Sequence, residues 1–355
     1  MGDAPPADLR AEEAERRRRM LARVEGRIRM KAEIAFPAVP SLASHYTETL
    51  ADHFAALGRP FSSAELETLQ RTLLLKLHEA HAASLTSSVL VRYETAEDGS
   101  KRIDYGVAAS VTTLAEQYEH WVKTREPPLF GAHPDARVMA EIGALAAGSR
   151  VLDIGAGTGR NTLPIARLGF EVDAIEPAPA LADVLENEAR AAELPVHVRR
   201  SDARAARDDL PAGRFALAIA SEVTSHFRGT VELRAFFRTA ATALRAGGKL
   251  VANAFVTTGG YRPDTFAREL GQLFWTTFYT PAELATALEG VPLRIVEDID
   301  ALEYEQSHLP PEAWPPTGWF AGWARGEDVF GPGSRSVTSL RWLVLERTQG
   351  AVPED

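Results

Sequence analysis

Between Val151 and Gly159 the chain places an acid and three glycines in a spacing suited to one kind of chemistry. Val151-Leu152-Asp153-Ile154 is an apolar run of strand type, and Gly155-Ala156-Gly157-Thr158-Gly159 follows at once. Glycines let a backbone turn sharply and approach a ligand closely. The helix expected behind such a turn offers unpaired N–H groups to an anionic or zwitterionic cofactor. A dinucleotide site of the G-x-G-x-x-G kind would place its third glycine at position 160, which is Arg160; here it comes one residue earlier, at Gly159. A second apolar run ends at Glu176-Pro177, 19 residues after Gly157. An acid at such a strand tip accepts both hydroxyls of a ribose, which points to a nucleoside without saying which.

These residues need a scaffold that brings strand ends together. From about residue 130 the chain alternates apolar runs with helical patterns. Strands are expected at 149–154, 171–176, 195–200, 214–220 and 248–256, with helices at about 160–168, 179–192 and 231–244. Later strands are expected near 293–299 and 337–346. The fold class is therefore α/β: a Rossmann-like, mostly parallel seven-stranded sheet with helices on both faces. Upstream, Tyr46, Leu50, Phe54 and Leu57 share a helical face that Gly58 ends, and Ser62 to Glu65 reads as a capping box before Leu66, Leu69, Leu73 and Leu77. Two short strands flank Asp98-Gly99, and a helix at 110–124 precedes Pro127-Pro128. The expected division is a mainly helical N-terminal domain with a short hairpin, residues 1–130, and a cofactor domain, residues 131–350. An aromatic insertion occupies about 303–334.

The run D-x-G-x-G-x-G resembles motif I of the class I S-adenosylmethionine-dependent methyltransferases. Other motifs follow in that family's order. Arg200-Ser201-Asp202-Ala203 ends the third strand, Phe215 to Glu222 resembles motif IV, and Leu244 to Leu250 resembles the turn before strand five. The resemblance covers about residues 135–300. It implies S-adenosyl-L-methionine as cofactor and S-adenosyl-L-homocysteine as product. Asp153 ends the strand and braces the turn, Gly155 and Gly157 let the cofactor's methionine part lie against the backbone, and Ala156, Thr158, Gly159 and Asn161 are further cofactor-binding candidates. Glu176 falls to the ribose and Asp202 to the adenine, with Pro177 and Ala203 beside them as cofactor-binding candidates and Ser221 at the strand exit. Ala216 and Ala246 stand where the family commonly has an acid and a proline. Gly159-Arg160-Asn161-Thr162 also resembles the tellurite-resistance methyltransferase subgroup, a match of four residues that transfers no substrate.

Methyl transfer from a sulfonium is an in-line displacement, so the protein mainly aligns the reactants, and a base is needed only when the acceptor must lose a proton. The exit of the fourth strand offers Ser221, Glu222 and His226. Glu222 and His226 are the catalytic candidates; His226 serves either as general base or as a residue fixing the loop. Ser221-Glu222-Val223-Thr224 lacks the N/D-P-P-Y/F pattern typical of methylation at nucleic-acid amino groups or glutamine amides. Tyr118 and Trp121, on the helix before the core, and Trp319 and Trp323, in the insertion with Trp314 and Phe320, are the candidates for the acceptor pocket. Pro310, Pro311, Pro315 and Pro316 are expected to hold that insertion non-helical. With Phe274, Trp275 and Phe278 they suggest a flat or apolar acceptor.

The absence of cysteine removes thiolate nucleophiles, disulfides and cysteine-held clusters. His78-Glu79-Ala80-His81 fails the H-E-x-x-H zinc pattern because its second histidine comes one residue early. A net charge of −10 argues against broad nucleic-acid binding. Residues 10–31 run the other way, with nine basic residues against four acidic ones. Met20, Val24 and Ile28 suggest a helix there, either solvated or contacting an anionic surface. No apolar run nears the ~20 residues of a membrane span, and the basic run at 16–19 leads into no signal-peptide core, so a cytoplasmic location is expected. The expected partner is a small-molecule acceptor, with a homodimer through the N-terminal helices as a further expectation. Two rival readings stand beside this enzyme: a protein or RNA methyltransferase docking its substrate through the N-terminal domain, and a non-catalytic cofactor-binding module.

Overall fold

The structure is a computed structural model, and it describes residues 7–25, 27–95, 102–202, 210–333 and 336–352. The chain divides into two compact units, Met1–Thr112 and Thr113–Asp355.

In the first unit, helix α1 (Ala7–Glu25) precedes strand β1 (Lys31–Pro37). Helices α2 (Ala43–Ala56) and α3 (Ser63–Ala83) and strands β2 (Ser88–Thr95) and β3 (Ile103–Ser110) follow. The strands form an antiparallel sheet in the order β1-β2-β3, with Ile34 opposite Val91 and Val91 opposite Val107. Phe36, Val89, Val91, Tyr93 and Ile103 pack from the sheet against Tyr46, Leu50 and Phe54 of α2 and Leu69, Leu73 and Leu77 of α3. The capping box is present: the Ser62 hydroxyl accepts from the Glu65 N–H, and the Glu65 carboxylate accepts from the Ser62 N–H. Two expectations change. The hairpin is two strands of a three-stranded sheet, its Asp98-Gly99 turn lying outside the described residues. The basic helix ends at Glu25, so Ile28 lies beyond it and Lys31 opens a strand. Only Ile34 and Phe36 of that strand face the core, too few for an alternating pattern to stand out.

The second unit opens with α4 (Leu114–Thr124) and α5 (Ala136–Gly143). Strand β4 (Arg150–Ile154), α6 (Thr162–Arg167), β5 (Glu171–Ile175), α7 (Pro179–Ala191), β6 (Val196–Arg199), β7 (Phe215–Ala220), α8 (Thr230–Ala243) and β8 (Leu244–Thr257) then alternate. The chain continues through α9 (Thr265–Leu273), β9 (Phe278–Tyr279), α10 (Pro281–Leu288), β10 (Leu293–Asp300), α11 (Ala301–His308), α12 (Phe320–Ala324), α13 (Glu327–Phe330) and β11 (Thr338–Arg347). The sheet order is β10-β11-β8-β7-β4-β5-β6, with β9 joined to the end of β8. Only the pairings made by β11 are antiparallel.

Helices cover both faces, so central strands read as continuous apolar runs; Phe215–Ala220 is buried at every position. Alternate residues serve opposite faces. Leu152, Ala218, Leu250 and Leu343 meet Phe236 of α8 and Leu284 of α10, while Val151, Leu217, Val251 and Trp342 meet Val138 of α5 and Ile165 of α6. No described helix is long and apolar enough to cross a membrane.

Three sequence expectations are corrected in this unit. The sheet has an eighth strand, β9, whose two residues are too short to show a pattern. The division falls at Thr112/Thr113 rather than at 130, because α4 packs Leu114, Tyr118 and Trp121 against Leu129, Phe130, Ala178 and Leu181 of the second unit. The insertion is not wholly irregular. It holds α11, α12 and α13, and the prolines confine its non-helical course to the stretch between α11 and α12, where Pro311–Ala313 is a single 3-10 turn.

Candidate active site

The glycine turn forms because two of its N–H groups are drawn onto the neighbouring strand. Gly155 and Ala156 both donate to the Ile175 carbonyl, at 2.8 and 3.0 Å. Gly155, Gly157 and Gly159 all have positive φ, at 73°, 56° and 95°, where a side chain is strained. A Cβ at 155 would stand 2.5 Å from Val223 Cγ2, so the loop after β7 rests directly on this turn. At 159 a Cβ would collide with Leu185 and Leu163, so this glycine makes room for packing against α6 and α7. Asp153 is 3% exposed and accepts from the Thr162 hydroxyl at 2.6 Å, bracing the turn against α6. Burial pushes its carboxyl up to about 6.

A cavity of about 360 Å³ opens in front of the turn. Of the sequence-derived candidates, Asp153, Gly155, Ala156, Gly157, Thr158, Asn161, Glu176, Pro177, Asp202, Ser221, Glu222, His226, Tyr118, Trp121, Trp319 and Trp323 all line it. Ala203 lies outside the described residues. Phe278 and Phe320 are buried in the core beside α12 and β8 and do not line the cavity, whereas Phe274 and Trp275 do.

Glu176, at the tip of β5, is 4% exposed. Its carboxylate accepts from the N–H groups of Gly157 and Ala178, both at 2.8 Å. Burial outweighs those hydrogen bonds and pushes it up to about 7.

On the opposite wall the chain leaves β7 through Ser221 and Glu222. Glu222 has φ +62°, and its N–H donates to Asn253 Oδ1 at 2.7 Å. His226 Nε2 faces the Tyr118 hydroxyl at 3.4 Å. Burial raises the Tyr118 phenol far above its ordinary range, so it remains a hydrogen-bond donor. Trp275 stands between His226 and Trp121, with ring centroids 5.6 and 4.8 Å away. Its carbonyl accepts from the Trp323 indole N–H at 3.0 Å, and Trp319 packs edge-on to Trp323. The insertion thus contributes an aromatic wall anchored to the loop before β9.

Sequence reasoning missed Arg160 and Asp135, which tie these walls together. The Arg160 guanidinium sits between Asp135 and Glu222, at 2.5 and 2.8 Å, and reaches Ser221 Oγ at 3.2 Å. Burial opposes its charge, but the two carboxylates hold it above its ordinary range. Burial likewise raises Glu222, against the pull of Arg160. The Asn161 side chain is occupied by Asp135, donating to its carboxylate and accepting from its N–H, both at 2.9 Å. The available signal was a cation directly after a glycine turn, a place where a solvated side chain has little reason to stand. Arg125 and Asp328, also on the cavity, carried no such signal.

A family model described as a methyltransferase domain matches residues 151–248, from β4 into β8. The Ubiquinone biosynthesis O-methyltransferase of Methylobacterium nodulans is 33% identical over 160 residues, 41% of this chain and 60% of that protein. The protein of the same name from Xanthomonas euvesicatoria pv. vesicatoria is 31% identical over 171 residues, 45% of this chain and 68% of that protein. The chain belongs to the class I S-adenosylmethionine-dependent methyltransferases. It spans about 60% of the length of the first of these relatives. A solved geranyl diphosphate C-methyltransferase from Streptomyces coelicolor A3(2) is 14% identical with a TM-score of 0.48, over 67% of this chain and 100% of that one.

The family's cofactor, S-adenosylmethionine, suits the residues present. Gly157 presents bare backbone to the cavity, with the Phe130 ring 3.6 Å from where a Cβ would stand. The acids Glu176 and Asp202 share the cavity with it, and they are the acceptors that ribose hydroxyls and an adenine amino group require.

Proposed function

We propose that this chain transfers a methyl group from S-adenosylmethionine to a hydroxyl oxygen of a small aromatic molecule. The observation that carries the reading is one cavity lined both by the glycine turn, Glu176 and Asp202 and by His226, Tyr118 and the tryptophans. The curated relatives bear the name O-methyltransferase, which supports oxygen among the acceptor atoms that the sequence leaves open. In this reading Gly155, Ala156, Gly157 and Thr158 hold the methionine part, Glu176 and Pro177 the ribose, and Asp202 the adenine.

Bound S-adenosylmethionine supplies a methyl group on a sulfonium, a good leaving group, so the protein contributes mainly alignment and proton removal. Tyr118, Trp121, Trp275 and Trp319 hold the acceptor ring. His226 accepts the proton of its hydroxyl as the carbon–oxygen bond forms and the carbon–sulfur bond breaks. The Tyr118 contact to His226 Nε2 is at the outer limit of a hydrogen bond, so an acceptor hydroxyl competes well for that nitrogen. Glu222, fixed by Arg160 beside Ser221, sets the shape of the strand exit.

Calorimetry with S-adenosylmethionine tests the donor site, and absence of binding would overturn the reading. His226→Ala is expected to leave donor affinity intact while turnover of a phenolic acceptor falls about 100-fold or more. Unchanged turnover would leave His226 only its loop-fixing role.

A further inference from the structure

The cavity is lined by two arginines, and they differ in what they face. Arg160 is enclosed by Asp135 and Glu222. Arg125, the residue after α4, stands with its guanidinium carbon 3.8 Å from the centroid of the Trp121 ring. Among the described residues no carboxylate comes within ion-pairing distance of it. A guanidinium stacked this closely on an indole gains from the ring face, and its in-plane N–H groups remain available to another partner.

Its position relative to the chemistry is fixed by the rings. Trp121 packs on Trp275 at 4.8 Å, and Trp275 on His226 at 5.6 Å. One continuous aromatic surface therefore joins the unpaired guanidinium to the histidine at the strand exit. The acids on the cavity, Asp153, Glu176, Asp202, Glu222 and Asp328, repel an anion, and Arg160 is already held by two of the carboxylates around it, so Arg125 is the lining guanidinium left able to receive one.

We infer that Arg125 reads a carboxylate on the acceptor, so that the acceptor is an elongated aromatic acid whose hydroxyl reaches His226. The inference rests on the cavity being a methyl-acceptor site. A carboxylate is favoured over a phosphate because its single negative charge matches one guanidinium and its two oxygens match the planar fork. Arg125 is then a specificity-determining residue.

The test uses the full chain saturated with S-adenosyl-L-homocysteine and two probes, 3,4-dihydroxycinnamate and its uncharged primary alcohol. The acid is expected to bind about tenfold more tightly than the alcohol. Arg125→Gln should close that gap while leaving the Kd of the alcohol and of S-adenosyl-L-homocysteine unchanged. Arg125→Lys, which keeps the charge without the fork, should fall between and serves as the second variant. Equal affinities in the unmodified protein, an equal loss of both probes in Arg125→Gln, or binding of neither probe would overturn the inference. Failure to bind S-adenosyl-L-homocysteine would instead overturn the proposed activity.

Discussion

Glu176, the proposed ribose acceptor, is a buried carboxyl that titrates near neutral pH. In the folded chain burial holds it at about 7, above the 4.5 of an ordinary glutamate. Protonation is thus easier in the folded state than in the unfolded one. Its contribution to stability is fully present below about pH 4.5 and is lost as the pH rises through about 7. Donor binding should run the opposite way, because only the ionised carboxylate can accept from both ribose hydroxyls. The Kd for S-adenosylmethionine is expected to fall as the pH is raised from about 6 to 8. Glu176→Gln should bind roughly tenfold more weakly at the upper end and show a flatter profile. A wild-type profile as flat as that of the variant would remove Glu176 from the ribose site. The acid was legible in the sequence because a strand tip after a glycine turn is a local feature. Its raised pKa was not, since that depends on how completely the surrounding chain excludes water.

At the scale of elements, α4 carries Tyr118 and Trp121 and delivers Arg125, so its stability bears on the part of the cavity proposed to hold the acceptor. A capping box starts it: the Thr113 hydroxyl accepts from the Glu116 N–H at 3.2 Å, and the Glu116 carboxylate accepts from the Thr113 N–H at 2.7 Å. Thr113→Ala is expected to cost about 1 kcal/mol of local stability. Amide exchange in α4 should then quicken roughly fivefold, with a matching rise in acceptor KM and little change in kcat. Exchange unchanged in α4 would show that tertiary packing alone holds the helix. The helix itself was legible from its periodicity, but its allegiance was not. It lies within the second unit because Tyr118 and Trp121 pack with Leu129, Phe130 and Leu181, contacts that spacing along the chain does not encode.

At the scale of the whole molecule, distant segments are joined through single buried groups. Glu305 of α11 is 1% exposed. It accepts from the N–H groups of Ala136 and Arg137 at the start of α5, at 2.7 and 3.1 Å, and from the Trp342 indole of β11 at 2.9 Å. It therefore satisfies the first turn of one helix from another helix 169 residues later in the chain. Glu305→Ala would leave three buried donors without a partner and is expected to lower unfolding stability by about 3 kcal/mol. Urea denaturation measures this, and a loss below about 1 kcal/mol would mean that water or rearrangement replaces those bonds.

The sequence by itself determined the parallel strands, the helices between them and the glycine turn with its acid at the next strand tip. Each of these follows from local rules: continuous apolar runs where both sheet faces are covered, glycines where φ must be positive, and an acid at a strand tip. Tertiary structure alone decided the rest. Arg160 became the link between the glycine turn and Glu222 because folding brought it between carboxylates 25 residues before it and 62 residues after it. The glycine at 159 also makes room for Leu185, a packing role that its motif does not record. Arg125 reached the cavity wall in the same way. Burial and charge pairing are properties of neighbours in space, and a linear pattern records only neighbours along the chain.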